Sequence, residues 1–308
     1  MDVIIPDFYG DFACKADKCR HTCCAGWEID VDAKTLARYD QESGALGVEL
    51  RNNLVREGDV LHFKLREGGR CPFLRDNGLC YLICEKGEDF LAEICRQHPR
   101  FYTKVNGMTL AGTGLSCEKT VELLLASEEP LTFVSRKRKT PAPAAEEVMG
   151  SASAVVAALS AVNAPMTLSG LVSKLRLTFS VRELAFVPDA DAEAAAFAFD
   201  CHAALRPIDA EWTEYFNRLQ DQLTNLPPDW TAALSEGLFR RIYAYILYRA
   251  LERVDTDGAE SVAAYAQIGT EFIAAAARMT GDLPDAVRRW SAEVEYCPEN
   301  VDLLLMLA

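Results

Sequence analysis

Residues 14–24 read Cys-Lys-Ala-Asp-Lys-Cys-Arg-His-Thr-Cys-Cys and carry the first four cysteines of the chain. Five more precede residue 118, namely Cys71, Cys80, Cys84, Cys95 and Cys117, whereas the rest of the chain holds only Cys201 and Cys297. Thiolates are soft ligands that suit iron–sulfur clusters, zinc or copper(I). Loop-rich sequence with so little apolar core needs a cross-link. The crowding therefore predicts a cysteine-ligated metal module.

The spacing of the thiols bears on which metal they hold. Zinc knuckles usually present paired cysteines in CxxC motifs, and this chain contains none. The gaps are wider, which favours an iron–sulfur cluster, with zinc as the alternative. The predicted metal ligands are Cys14, Cys19, Cys23, Cys24, Cys71, Cys80, Cys95 and Cys117, enough for one or two sites. The isolated Cys201 and Cys297 are interpreted as buried small hydrophobic residues.

Composition excludes several classes of function. The 308 residues carry a net charge of −14, which repels nucleic-acid phosphates and disfavours nucleic-acid binding. No apolar run has the length of a membrane span, and the N-terminus lacks the apolar region of a secretion signal. We therefore expect a cytoplasmic protein with no membrane partner, in a compartment where cysteines stay reduced.

Local patterns predict a mainly α fold in two parts. Residues 1–127 are expected to form a loop-rich metal module with short strands and helices. These include a helix at 32–39, a strand at 60–65 that forms a hairpin with residues 71–74, and a second hairpin at 104–110. Residues 128–148, with the basic run 136–139 and Pro141 and Pro143, are expected to be a linker. Residues 149–308, rich in Ala and Leu and punctuated by Gly and Pro, are expected to form an all-helical domain, and the pattern favours a helix over Glu146 to Ala161 as its first.

The cysteine motifs, taken in order, resemble those of the flagellin lysine-N-methylases (FliB-like proteins). The matching segments are Cys24-Ala25-Gly26-Trp27, Cys71-Pro72-Phe73-Leu74, Gly78-Leu79-Cys80, Cys95-Arg96-Gln97-His98-Pro99-Arg100 and Leu115-Ser116-Cys117. They also resemble a broader group of small zinc- or iron-chelating cysteine-domain proteins. A weaker resemblance covers Ser291 to Glu295 and Glu299-Asn300 near the C-terminus.

The resemblance implies an enzyme that transfers methyl groups from S-adenosylmethionine to lysine ε-amines. It implies a four-iron (4Fe-4S) cluster in the enzyme and a lysine-bearing protein substrate, with flagellin as the candidate. Neither a complete Gly-rich nucleotide loop nor the Cys-x3-Cys-x2-Cys radical motif is present, since Gly112-Thr113-Gly114 is a lone GxG. The alternative is a non-catalytic iron–sulfur or zinc protein with a helical interaction domain.

Candidate residues for this chemistry follow from the charge of the donor. A sulfonium cation is held by carboxylates or aromatic faces, which indicates Glu293 and Glu295 as catalytic candidates and Trp27 as a cofactor-binding wall. The alternative for the glutamates is a solvated helix end, and for Trp27 core packing. Arg96 and Arg100 flank the Cys95 motif and are candidates to bind cluster sulfurs or a cofactor carboxylate, or to form a structural ion pair.

Overall fold

The computed structural model describes residues 2–15, 18–26, 28–137, 161–162, 164–186, 192–226 and 235–308. The strands are β1 (Asp2–Pro6), β2 (Leu54–Glu57), β3 (Val60–Phe63), β4 (Arg100–Val105), β5 (Met108–Thr113), β6 (Phe133–Lys137) and β7 (Ala161–Val162). The helices are α1 (Ala33–Gln41), α2 (Gly44–Asn52), α3 (Tyr81–Lys86), α4 (Glu93–Gln97), α5 (Glu118–Leu124), α6 (Leu168–Leu175), α7 (Ala192–Ala203), α8 (Ala210–Leu223), α9 (Glu236–Ala250), α10 (Val254–Asp257), α11 (Ala259–Thr280), α12 (Leu283–Val294) and α13 (Pro298–Leu307). Helix thus predominates, as predicted, but strands accompany it. No helix among these residues is long and apolar enough to span a bilayer.

The largest sheet has the strand order β4-β5-β1-β6-β7 in the described part of the chain. β1 pairs in parallel with β5 and antiparallel with β6. Its residues Val3 to Ile5 are buried, because an internal strand covered on both faces needs a continuous apolar run. The predicted hairpin at 104–110 is confirmed as β4 and β5, joined by Asn106 and Gly107 at positive φ.

Two buried tyrosines of α9 satisfy backbone groups of this sheet. The Tyr248 hydroxyl lies 2.9 Å from the Ile4 carbonyl oxygen and accepts the Ala111 N–H at 3.0 Å. The Tyr245 hydroxyl donates to the Thr113 carbonyl at 2.6 Å and accepts the Thr113 N–H at 3.0 Å. An unsatisfied buried amide or carbonyl is costly, so these hydroxyls fix α9 on the sheet.

The central helix α11 packs against α7, α9 and α12. Gly269 leaves room for the Trp290 indole, since a Cβ at residue 269 would lie 2.4 Å from its Cζ2 atom. The Trp290 Nε1–H donates to His202 Nε2 at 2.9 Å. His202 Nδ1 must therefore carry the proton that it shares with the Ala198 carbonyl at 2.6 Å. This imidazole is a neutral member of the helical core.

The chain divides into two compact units. Unit 2 contains the described residues of 13–101, and unit 1 contains residues 2–12, 102–137 and those described from 161 onward. The predicted ranges were 1–127 and 149–308, with a linker at 128–148. β6 occupies part of that linker, and β7 lies in the range expected to be all helical. β6 pairs with β1 on one side and β7 on the other, so both strands belong to the same sheet. The predicted helix from Glu146 lies outside the described residues, apart from Ala161, which starts β7.

Candidate metal centre

Unit 2 has its own apolar core, and several predicted ligands lie on it. The core consists of Ile29, Val31, Tyr39, Leu46, Leu50, Phe63, Cys71, Phe73, Leu74, Leu82 and Leu91. Partly buried Cys24, Cys80 and Cys95 pack against it. The predicted helix near residues 32–39 is confirmed as α1, which begins where the Asp32 carboxylate accepts the Thr35 N–H at 2.9 Å.

Backbone pairing joins the first cysteine segment to the second. The Cys71 N–H donates to the Cys24 carbonyl at 2.9 Å, and the Gly26 N–H donates to the Gly69 carbonyl at 3.1 Å. Ala25 and Arg70 form an antiparallel bridge between these bonds. Residues far apart in sequence are thereby held side by side, with Cys24 next to Cys71.

A tight loop then returns the chain from Cys71 to Cys80. The Leu74 N–H donates to the Cys71 carbonyl at 3.1 Å, and the Tyr81 N–H donates to the Phe73 carbonyl at 2.7 Å. The loop turns at Gly78, whose φ of +80° suits glycine. Leu74 and Cys80 form an antiparallel bridge, so Cys80 lies beside the segment that begins at Cys71.

Backbone N–H groups point at two of the sulfurs. Cys80 precedes α3, and the N–H groups of Leu82 and Ile83 donate to its side chain. Those of Phe73 and Leu74 donate to Cys71. Burial raises the pKa of Cys71 to about 11, and these donors act against that rise. N–H donors favour the thiolate, which is the form that binds metals.

The thiols of four cysteines act on one another electrostatically. Burial raises the pKa of Cys95 well above its usual range, and the charges of Cys71, Cys80 and Cys23 raise it further. The pKa of Cys23 is also raised, first by a hydrogen bond with the Cys24 thiol and then by burial. Like charges this close disfavour joint ionisation unless a cation lies among them.

The structure gathers only part of the predicted ligand set. Within the described ranges, no three His, Cys, Asp or Glu side chains are close enough together to hold a metal ion as they stand. Cys14 is exposed and Cys19 half-buried, in a segment where residues 16 and 17 are not described. Cys117 immediately precedes α5 and belongs to unit 1. Metal binding by all eight cysteines stays a prediction.

The predicted cofactor-binding residues have the following positions. The Arg96 guanidinium is 9% exposed and forms an ion pair with Glu93, which also accepts the Gln97 Nε2–H at 2.8 Å. This is the structural ion pair that the sequence left open. Arg100 is the half-buried first residue of β4, and Trp27 lies outside the described residues. Cofactor binding by all three stays a prediction.

The two candidate catalytic glutamates are buried in unit 1, not solvated. One Glu293 carboxylate oxygen accepts the Ile208 N–H at 3.0 Å, and burial raises the pKa of this side chain to about 7. Glu295 forms a buried ion pair with Arg249 and accepts the Ser291 hydroxyl. Both carboxylates thus have structural contacts, and their catalytic role stays a prediction.

One buried polar residue beside the cysteines was missed from the sequence. Tyr39 is fully buried in α1, with its ring centroid 6.0 Å from Phe63 and 5.2 Å from Phe90. The sequence pattern around Tyr39 predicts only an apolar helix face, because an aromatic residue at helical spacing indicates core packing. Periodicity does not reveal that its hydroxyl group is buried without a hydrogen-bond partner among the described residues.

Known proteins show distant and partial similarity to this chain. It is 23% identical to "Flagellar biosynthetic protein FliU" of Salmonella muenchen over 143 residues, which is 44% of this chain and 85% of that protein. It is 26% identical over 142 residues to the proteins named "Lysine-N-methylase" of Salmonella choleraesuis and Salmonella typhimurium. No protein-family model and no solved structure matches the chain.

These matches cover only part of this chain and part of each methylase. Each methylase match covers 43% of this chain but 35% of the relative's own length. The chain thus spans about a third of the length of the two lysine methylases. It shares a segment with flagellar and lysine-methylating proteins at low identity.

Proposed function

We propose that the chain is an S-adenosylmethionine-dependent protein-lysine N-methyltransferase whose cysteine-rich unit holds an iron–sulfur cluster. The observation that carries the proposal is the similarity to two proteins named lysine-N-methylase. The grouping of thiols in unit 2 supports the cofactor part of it. The substrate would be a lysine-bearing protein, with flagellin as first candidate, because another similar protein is named for flagellar biosynthesis.

Cys23, Cys71, Cys80 and Cys95 are the ligands that we propose for a four-iron cluster. Their thiols are electrostatic neighbours, and two of them receive backbone N–H bonds. The four donors fit in type, because such clusters are held by four thiolates and tuned by hydrogen bonds to sulfur. When bound, the cluster would supply one-electron chemistry and a cross-link between segments. A single zinc ion is the alternative for the same four thiolates.

The reaction sets a requirement that the substrate lysine be neutral. A methyl group leaves the sulfonium sulfur as the carbon–sulfur bond breaks, and the lysine nitrogen lone pair forms the new carbon–nitrogen bond. Lysine has a pKa of ~10.4 and is protonated at neutral pH, so the site must bury the amine or supply a base. The net charge of −14 would attract a lysine-rich substrate before this step.

A second candidate function is a non-catalytic iron–sulfur or zinc protein. One observation favours it: Glu293 accepts a backbone N–H and Glu295 forms an ion pair, so both carboxylates already have partners within the fold. On this alternative, unit 2 still binds metal but no methyl group is transferred.

The test uses the full chain purified without oxygen. Iron, sulfide and zinc are quantified, and the protein is incubated with methyl-labelled S-adenosylmethionine and flagellin. We expect about four irons and four sulfides per chain, the stoichiometry of the proposed cluster, and label on lysine. A flagellin with its reactive lysines replaced by arginine is the control and should take up no label.

Different outcomes separate the candidates. Bound iron without lysine labelling would favour the non-catalytic alternative. Bound zinc without sulfide would replace the cluster by a structural zinc site. Folded protein with neither metal would contradict both candidates.

A further inference from the structure

The Tyr39 hydroxyl is a buried donor without a hydrogen-bond partner in the described part of the chain. Its side chain is fully buried in the core of unit 2, where its ring packs with those of Phe63 and Phe90. Buried hydroxyls are normally satisfied, and each exception calls for an explanation such as an unseen ion or ligand. The position of this hydroxyl therefore indicates an acceptor that the polypeptide alone does not supply.

Cysteine sulfurs are the candidate acceptors, because Cys80 and Cys95 pack against the core that contains Tyr39. The charges that act on the Tyr39 side chain are those of Cys95, Arg38, Cys80 and Asp32. Arg38 has no acceptor atom, and its guanidinium donates to the Leu91 carbonyl at 2.8 Å. Cys95 and Cys80 are the other two side chains of this set, and a sulfur can accept a hydrogen bond.

The Asp32 carboxylate accepts three hydrogen bonds from other donors and none from the Tyr39 hydroxyl. They accept the Thr35 N–H and hydroxyl and, at 3.1 Å, the Glu93 N–H. A neutral thiol is a weak acceptor, whereas a metal-bound thiolate is anionic and accepts a stronger bond.

We propose that Tyr39 is a positioning residue whose hydroxyl donates a hydrogen bond to a sulfur of the group held by Cys80 and Cys95. The inference rests on the proposed iron–sulfur cluster, and it assigns this chain a tuning residue for it. A donor aimed at sulfur stabilises the reduced form, which carries more negative charge. The bond would also offset the burial of an otherwise unsatisfied hydroxyl.

The substitution Y39F tests this inference, because it removes the hydroxyl and keeps the ring. The matched control is Y81F, since Tyr81 follows Cys80 directly but is only half-buried, with the Arg75 guanidinium 4.7 Å from its ring centroid. Both full-length variants are purified anaerobically, and iron, sulfide, the cluster midpoint potential and the resonance Raman spectrum are measured.

We expect Y39F to keep its iron and sulfide. The equilibrium constant for reduction of its cluster should be about tenfold lower than in the wild type. That ratio corresponds to about 59 mV for one electron, toward more negative potential. The iron–sulfur stretching bands should also shift, because a hydrogen bond to sulfur has been lost. Y81F should match the wild type in both measurements.

The outcomes distinguish this inference from the proposed function. Wild-type protein without iron and sulfide would overturn the cluster and this inference with it. A wild-type cluster whose potential and spectrum are unchanged in Y39F would overturn the inference alone. If Y39F does not fold, 3-fluorotyrosine at position 39 gives the answer, because it keeps the hydroxyl and makes it a stronger donor. A more positive potential would then support the bond, and an unchanged one would overturn it.

Discussion

Replacing Glu293 by glutamine is expected to remove a loss of stability that the wild type suffers as pH rises. The Glu293 side chain is 3% exposed, and its carboxylate accepts the Ile208 N–H at 3.0 Å and 3.2 Å through its two oxygens. Burial raises the pKa to about 7, the Ile208 N–H opposes this rise, and the charge of Asp209 adds to it. The folded chain thus holds a proton that the unfolded chain has already released.

The sign and size of the effect follow from linkage. In the unfolded chain the same carboxyl has its ordinary pKa of 4.5. Between pH 4.5 and about 7 the folded state therefore binds more protons than the unfolded state, and the free energy of unfolding falls as the pH rises. A difference of roughly 2.5 pKa units corresponds to about 3 kcal/mol, fully lost above pH 7. Glutamine still accepts the N–H but does not ionise.

Urea unfolding of the full chain at several pH values between 5 and 8 measures this difference. The free energy of unfolding of E293Q minus that of the wild type should rise by up to about 3 kcal/mol across the range. E214Q, at an exposed position of α8, is the control and should leave the pH profile unchanged. Parallel profiles for E293Q and wild type would refute the reasoning. Undiminished methyl transfer by E293Q would show the residue to be structural.

Three other predictions concern the cysteines and the core of unit 1. C95S should lose most of the bound iron at unchanged expression, whereas C201S, at an isolated buried cysteine, should keep it by the same iron analysis. Y248F should lower the free energy of unfolding by about 2–3 kcal/mol in urea, because it leaves backbone groups of β1 and β5 unsatisfied. Burial lowers the pKa of His202 to about 4, so its share of stability is present above pH ~6.5 and lost as pH falls toward 4. In thermal unfolding, H202Q should reduce the fall in melting temperature between pH 6.5 and pH 4. The same fall in H202Q and wild type would contradict a neutral imidazole bonded to Trp290.

Locally encoded elements were predictable from the sequence. α1 follows an acidic N-cap at Asp32, and the Asn106-Gly107 pair fixes the hairpin of β4 and β5. The strand predicted at 60–65 is observed as β3, although it pairs with β2 rather than with the segment at 71–74. In each case the deciding interactions lie within a few residues of one another.

Features that depend on distant partners were not predictable. β1 is short, and nothing near it reveals pairing with β5 and β6, which lie more than a hundred residues later. The contact of Glu293 with Ile208 joins residues 85 apart, so a glutamate that reads as a solvated helix end is in fact buried. Likewise, cysteine spacing predicted a metal module, but backbone pairing decides that Cys24 lies beside Cys71.

The chain order of the sheet has a consequence for synthesis on the ribosome. β1 is made before all of unit 2, and its partners β5 and β6 are made after it. During synthesis β1 therefore has no strand to pair with while the cysteine-bearing residues emerge from the ribosome. Those residues have their own apolar core, so they can collapse before the strands of the sheet have all been made. Folding of the cysteine-bearing unit, with uptake of the metal that we propose for it, and completion of the sheet are thus separable events in time.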